Sequence, residues 1–374
     1  MARIRLLKFI DKYFGAIAVR IMSNPFQFDK VKPLRSIMII RPGGIGDAAL
    51  MLPLIIEFKK SYPEVSIDIL AEKRNHCIFA EFPGIRTVYQ YDSPKQLIAA
   101  IRNSYDAVID TEQWHRLSVV IAKICNPQLL IGFDTNERRR LLSHAISYSH
   151  DDYEATSFIN LLVPIGITAM PINGEKWLDI PARLLEKANG LLGSVKGKTF
   201  ITLFPGASIR EKRWEKDKFK ALSERINLSG FDVVIIGASE DRLIGEYILA
   251  DANGLNLAGK TSLLETATVI QKSCMLISGD SGVLHLAAAL GVPTVSLFGP
   301  SNIKKWAPKG NNHIVISKNL VCSPCSKFGY TPKCPINAKC MSDIAVDEVE
   351  AAVKKLIDSG KCKRSRCALT HNKR

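Results

Sequence analysis

Residues 39–53 read IIRPGGIGDAALMLP. An apolar run enters a glycine-rich turn, and a helix-like stretch leaves it. The preceding SIMII (36–40) suits a buried strand, and the pattern predicts a helix over 46–61, ending before Pro63. Strand, glycine turn and helix together open a doubly wound α/β domain. The alternation continues outward. VSIDIL (65–70), a short stretch at 86–91, YDAVID (105–110) and LLIGF (129–133) read as further strands, with a helix near 94–103. HDDYEATSFINLLVPIGI (150–167) reads as a helix closing this half. Such alternation argues for a parallel sheet.

Residues 171–198, rich in Pro and Gly, read as a linker. The pattern then restarts with FITLFPG (200–206), FDVVIIGA (231–238), LNLAG (255–259), CMLISGD (274–280) and PTVSLFG (293–299), each pair separated by a helical stretch. Two doubly wound halves are expected, over 31–170 and 199–342. In such sheets ligands sit beyond the carboxyl ends of the strands. The unusual residues collect there: Asp47, the 205–214 tract, Gly237–Glu240 and Asp280–His285.

The 374 residues carry 51 Lys+Arg against 36 Asp+Glu, a net charge of +15. Acidic partners are favoured: nucleotides, phosphorylated glycans, anionic lipid. Nucleic acid has no motif to support it. No apolar stretch reaches the roughly 20 residues that span a bilayer. The N-terminal segment 1–30 is charged throughout, with no signal-peptide core. Ile4, Leu7, Ile10, Phe14, Ile17 and Ile21 fall on one helix face, as in an interfacial helix on an anionic membrane. A helix packed on the protein's own body is the alternative. A cytosolic, reducing compartment is expected, with Cys77, Cys125 and Cys274 as buried thiols. Residues 359–374 read as a basic tail.

The first turn lacks the Lys-Ser/Thr of a P-loop. Gly44-Ile-Gly46-Asp47-Ala48-Ala49 fits the dinucleotide pattern G-x-G-x-x-A, and Glu72 stands where a ribose-binding acid would. That supports a nicotinamide-dependent oxidoreductase as one reading. Asp47 opposes it, because a carboxylate repels the pyrophosphate that such a helix start receives. The helix end instead stabilises the Asp47 anion, which suits a general base. A plain helix cap is the other reading.

In the second half, Ala207-Ser208 form a small turn, and Lys212 offers a mobile charge for a phosphate. Asp280-Ser281-Gly282 opens a helix directly after a strand, where N–H groups point at an anion. His285 falls in that helix's first turn, as ligand contact or as structural histidine. Cys322, Cys325, Cys334 and Cys340 contain one C-x2-C knuckle. A structural zinc is one reading, and free thiols or a disulfide are the others.

Taken together, five stretches resemble glycosyltransferase family 9, the heptosyltransferase-type enzymes: IIRPGGIGDAALMLP (39–53), VIDTEQ (108–113) with IGFD (131–134), LFPGASIREKRWEKDKF (203–219), GDSGVLHLAAALGVPTVSLFGP (279–300), and CSPC with CP and CM (322–341). The resemblance implies a GT-B fold, two Rossmann-like domains facing across a cleft. It implies inverting transfer from a nucleotide-sugar such as ADP-heptose, with no cofactor needed for catalysis. The acceptor would be a phosphorylated, lipid-linked lipopolysaccharide core glycan. Localisation would be cytoplasmic, peripheral on the inner face of the cytoplasmic membrane. The family's base falls on Asp47, and its phosphate-binding lysine on Lys212. Its donor contacts fall on Ala207, Ser208, Glu240, Asp280, Ser281, Gly282 and His285. Arg41, Gly44, Gly46, Glu112, Gln113 and Arg116 lie on the acceptor side. The resemblance also suggests that a helix at 343–358 returns to the N-terminal domain. Position 207 is Ala where some members place a hydroxyl. A GT-B-fold epimerase or a nucleotide-sugar-binding protein would use the same two halves.

Overall fold

The computed structural model describes residues 11–22, 33–168, 172–195, 197–327 and 329–362. Residues 1–10 and 23–30 of the expected N-terminal helix, and the basic tail from 363, lie outside the described residues. The chain divides into two compact units, Met1–Pro171 and Ile172–Arg374.

Unit 1 holds β1 (Ser36–Arg41), β2 (Ser66–Ala71), β3 (Ile85–Gln90), β4 (Ala107–Asp110), β5 (Leu129–Asp134) and β6 (His144–Ser147). Their order is β3-β2-β1-β4-β5-β6, parallel throughout. Its helices are α1 (Ala16–Ile21), α2 (Ile45–Ser61), α3 (His76–Ala80), α4 (Pro94–Arg102), α5 (Leu117–Ile124) and α6 (Glu154–Asn160). β1 and β4 are covered on both faces, so they read as unbroken apolar runs rather than alternating ones.

Unit 2 repeats the plan with β7 (Phe200–Phe204), β8 (Asp232–Ile235), β9 (Gly254–Asn256), β10 (Leu276–Gly279), β11 (Thr294–Phe298) and β12 (His313–Ser317). The order β9-β8-β7-β10-β11-β12 is the same topology. Its helices are α7 (Ala182–Leu191), α8 (Lys216–Leu228), α9 (Arg242–Ile248), α10 (Leu263–Lys272), α11 (Gly282–Ala289), α12 (Ile303–Trp306), α13 (Lys339–Ser342) and α14 (Val346–Asp358). In each sheet the strand order reverses between the first and fourth strands. That switch point is where open α/β sheets bind ligands.

Several elements differ from the sequence expectation. The stretch 150–167 is broken: α6 covers only Glu154–Asn160, and a 3-10 turn follows at Val163–Ile165. Pro164 stands inside that turn, where it cannot donate to a continuing helix. The stretch read as a linker contains α7, which packs against α10. The helix expected to return to the N-terminal domain, α14, buries Val349, Ala352, Val353 and Leu356 with Phe219 and Ile226 in the core of unit 2. Cys274, expected as a thiol, is joined to Cys362, with Cα atoms 4.8 Å apart. This bond ties the end of α14 to the start of β10.

Candidate active site

In unit 1 the site builds outward from β1. Its last residue, Arg41, is buried beneath the glycine turn at 2% exposure. Its guanidinium donates to the carbonyls of Pro42 (2.9 Å) and Thr111 (2.8 Å) and lies 3.6 Å from Glu112. Burial disfavours that charge, but Asp47 first, then Glu112, Glu154 and Asp110, hold it on. Gly43 adopts φ +129°, and a Cβ there would stand 2.8 Å from the Arg41 guanidinium. Only glycine lets the turn close over the arginine. Asn75 braces the turn by donating to the carbonyls of Arg41 and Gly43.

α2 starts at Ile45, so Asp47 is its third residue rather than its N-cap. Its Oδ2 accepts the N–H of Gly44 at 3.2 Å, the return half of a capping box. The carboxylate is half-buried at the first turn of a 17-residue helix, where the helix dipole favours an anion. Gly46 is buried beneath it.

Beside this turn, at the end of β4, the loop 111–118 is held from within. Glu112 Oε1 accepts the N–H groups of Gln113, Trp114 and His115. Gln113 donates to Glu154 Oε1 at 2.5 Å, and Tyr148 donates to Glu154 Oε2 at 2.9 Å. Arg116 pairs with Glu137 at 2.7 Å. Arg41, Glu112, Gln113 and Arg116 are thus each engaged in bonds within unit 1.

In unit 2 the corresponding strand ends bring a lysine onto a buried acid. The chain after β7 passes so close to β10 that a Cβ on Gly279 would stand 2.9 Å from the Lys212 carbonyl. This brings Lys212 Nζ within 2.5 Å of Asp280 Oδ2. Ser301, just past β11, donates to the same oxygen at 2.5 Å. His285 Nε2 lies 3.6 Å from Asp280 Oδ1. Burial pushes the Asp280 carboxyl up, but the His285 bond and the Lys212 charge outweigh it, so it sits well below the usual carboxylate range. His285 Nδ1 is buried without a hydrogen-bond partner.

Ser281 is the N-cap of α11, its Oγ accepting the N–H of Leu284 at 3.3 Å. Gly282 begins the helix, where N–H groups have no intrahelical acceptor. Ala207 and Ser208 lie in the turn after β7, with Ser208 exposed. Glu240 is also exposed, past β8. Its neighbour Asp241 is buried and locks the two turns together. A Cβ on Gly206 or Gly237 would meet its Oδ2 at 2.6 and 2.7 Å. Gly206→Ala is expected to lower stability by about 1–3 kcal/mol, as overpacking does; urea unfolding measures it.

Ser301, Asp241, Arg138, Glu154 and Tyr148 were missed in the sequence. Arg138 and Glu154 are wholly buried, and Arg138 pairs with Asp110. Ser301 had a signal, since it follows Gly299-Pro300 at a strand end. Arg138 sits in the run ERRRL and had none.

For the four clustered cysteines, the zinc reading finds no support. Among the described residues no group of three or more His, Cys, Asp or Glu is arranged to hold a metal. Cys322 is exposed, whereas Cys340 is buried against the end of β11. Burial first, then the neighbouring sulfurs, push the Cys325 and Cys340 thiols up.

The sequence profile of glycosyltransferase family 9 (heptosyltransferase) matches residues 95–334. The chain belongs to glycosyltransferase family 9. The match removes the oxidoreductase, epimerase and binding-protein readings. Asp47 lies ahead of the matched span. Lipopolysaccharide heptosyltransferase 3 of Escherichia coli is 27% identical over 292 residues, covering 72% of this chain and 85% of the relative. Two solved structures share the fold. A family 9 glycosyltransferase from Veillonella parvula has a TM-score of 0.76 at 20% identity, covering 88% of this chain and all of that one. The E. coli ADP-heptose lipopolysaccharide heptosyltransferase II has a TM-score of 0.71 at 21% identity, covering 87% and 99%. The fold is thus GT-B, with two Rossmann-like domains, and the chain is a glycosyltransferase.

Proposed function

We propose that this family 9 enzyme moves heptose from ADP-heptose to a phosphorylated, lipid-linked core glycan, inverting the anomeric centre without a metal. The work would take place at the inner face of the cytoplasmic membrane. One observation carries the reading: the first switch point presents a carboxylate, Asp47, and the second presents a lysine, Lys212, held by a buried acid. A base and an anion-stabilising cation are the two groups that such a transfer needs.

The chemistry follows from these groups. Asp47 takes the proton of the acceptor hydroxyl as its oxygen bonds to the anomeric carbon. The bond to the diphosphate breaks, and ADP leaves with the electron pair. Lys212 and the N–H groups at Gly282 stabilise the charge gathered on the diphosphate. Asp280 and Ser301 position the Lys212 ammonium, while Ser208, Ser281, His285 and Glu240 offer polar contacts to the nucleotide-sugar. Gly44 and Gly46 keep side chains away from Asp47 so that the acceptor can approach.

The test is transfer to isolated, truncated lipopolysaccharide with ADP-heptose, GDP-sugar and UDP-sugar donors. Turnover with ADP-heptose, unchanged by a chelator and giving the opposite anomer by NMR, is expected. Preference for another donor would overturn the substrate, and retained configuration would overturn the single displacement.

A further inference from the structure

Residues 11–22 have two sides of opposite character. One side is locked down. Asp11 is only 5% exposed, and its Oδ1 accepts the N–H groups of Arg116 (2.7 Å) and Leu117 (2.8 Å) at the start of α5. Val19 is fully buried, with Ala18 and Met22 packed beside it, in the cluster that holds Tyr105, Val119 and Leu141. The other side is uncovered. Phe14, Ile17 and Ile21 are 62%, 55% and 76% exposed. Steps of three and four place them on one face.

The surroundings of that face are basic. Arg20 is exposed, and its charge adds to the backbone bond and the Arg116 pairing that lower the Glu137 carboxyl. Arg139 and Arg140, on the 3-10 turn packed against α1, are exposed as well, with Arg139 3.6 Å from Asp134. Residues 1–22 hold five Lys/Arg and one acid, and that acid is the buried Asp11. An apolar stripe with cations around it matches an anionic lipid surface: acyl chains take the aromatic and aliphatic groups, and headgroups take the charges. A second copy of the same face would bring like charges together, which disfavours self-association.

The locked side reaches the acceptor wall. Glu112 holds the N–H groups of residues 113–115, and Asp11 holds those of 116 and 117. Two carboxylates thus restrain five consecutive backbone donors. The segment cannot shift without releasing the loop that carries Glu112 and Gln113.

We propose that residues 11–22 form a lipid-surface foot. Phe14, Ile17 and Ile21 enter an anionic bilayer, and Asp11 clamps the foot to the loop beside Asp47. The purpose assigned to it, presenting that loop to a lipid-linked acceptor, rests on the proposed function; the lipid binding itself does not.

The test uses the full chain with vesicles of phosphatidylglycerol and phosphatidylethanolamine. The wild type is expected to float with them and to float less with phosphatidylcholine vesicles. The triple variant Phe14→Ser, Ile17→Ser, Ile21→Ser should stay unbound while keeping its melting temperature and its turnover on a water-soluble acceptor. On acceptor embedded in vesicles, its KM should rise by about tenfold, as when a surface-concentrating contact is lost. Vesicles should slow amide exchange across 113–117 in the wild type and leave the triple variant unchanged. Undiminished flotation of the triple variant, or a wild type that does not float, overturns the foot. Loss of a dimer in the triple variant with flotation intact assigns the face to a second copy and overturns it too. Unchanged exchange on vesicle binding overturns the clamp. Flotation that depends on the stripe, without any heptose transfer, overturns the proposed function and leaves the foot standing.

Discussion

Asp47→Asn is expected to lower turnover by about 10²–10⁴, the range that general-base catalysis supplies. The residue also caps α2, so two losses must be separated. Asparagine has nearly the size of aspartate and its amide oxygen still accepts the Gly44 N–H, so the cap persists within about 1 kcal/mol. It cannot take a proton from a hydroxyl. The chemical loss therefore outweighs the structural one. A base acts only as the transition state forms, so kcat and kcat/KM should fall together. Donor affinity, measured calorimetrically with ADP-heptose, should stay unchanged. Near-normal turnover with a lowered melting temperature would leave Asp47 as a cap only.

The fold was legible where the chain repeats a physical unit. β1, β4, β7 and β10 are covered on both faces, so each reads as an apolar run, and β1 and β10 end in a turn of glycine and acid. Even the positions of Asp47 and Asp280 follow from that pattern. What stayed hidden depends on partners distant in sequence. Arg138 reads as surface charge within ERRRL, yet it is buried against Asp110, 28 residues away. Asp11 reads as a polar interruption of an apolar helix, yet it caps a helix 105 residues on. α5 begins amid Trp-His-Arg, without a side-chain cap of its own, because Asp11 supplies the acceptor from elsewhere. Arg41 was placed on the acceptor side from its strand end. Burial under Gly43 makes it a support for the turn.

Lys212→Ala should cost about 10²–10³ in turnover, the loss seen when one preorganised anion-stabilising group is removed. It should also cost about 3–5 kcal/mol of stability, because removing one partner of a buried pair strands the other. Asp280 is 8% exposed and would keep Ser301 and the more distant His285. Low activity in this variant could thus reflect unfolding alone. The double variant Lys212→Ala, Asp280→Asn separates the two causes. Asparagine carries no charge to strand, so most of the stability should return in a urea titration, while turnover stays low. Recovery of turnover together with stability would make Lys212 structural and remove it from the chemistry. The wild-type pair also carries a pH signature. Asp280 titrates below its ordinary range when folded. Its contribution is therefore fully present above the unfolded carboxylate pKa, about 3.9. It fades as pH falls below that value. The stability gap between wild type and Asp280→Asn should hold from neutral pH down to about that point, then close as the solution is acidified further. A gap that instead widened under acid would mean that the buried carboxyl is neutral in the folded enzyme, leaving Lys212 with no anion to hold it in place.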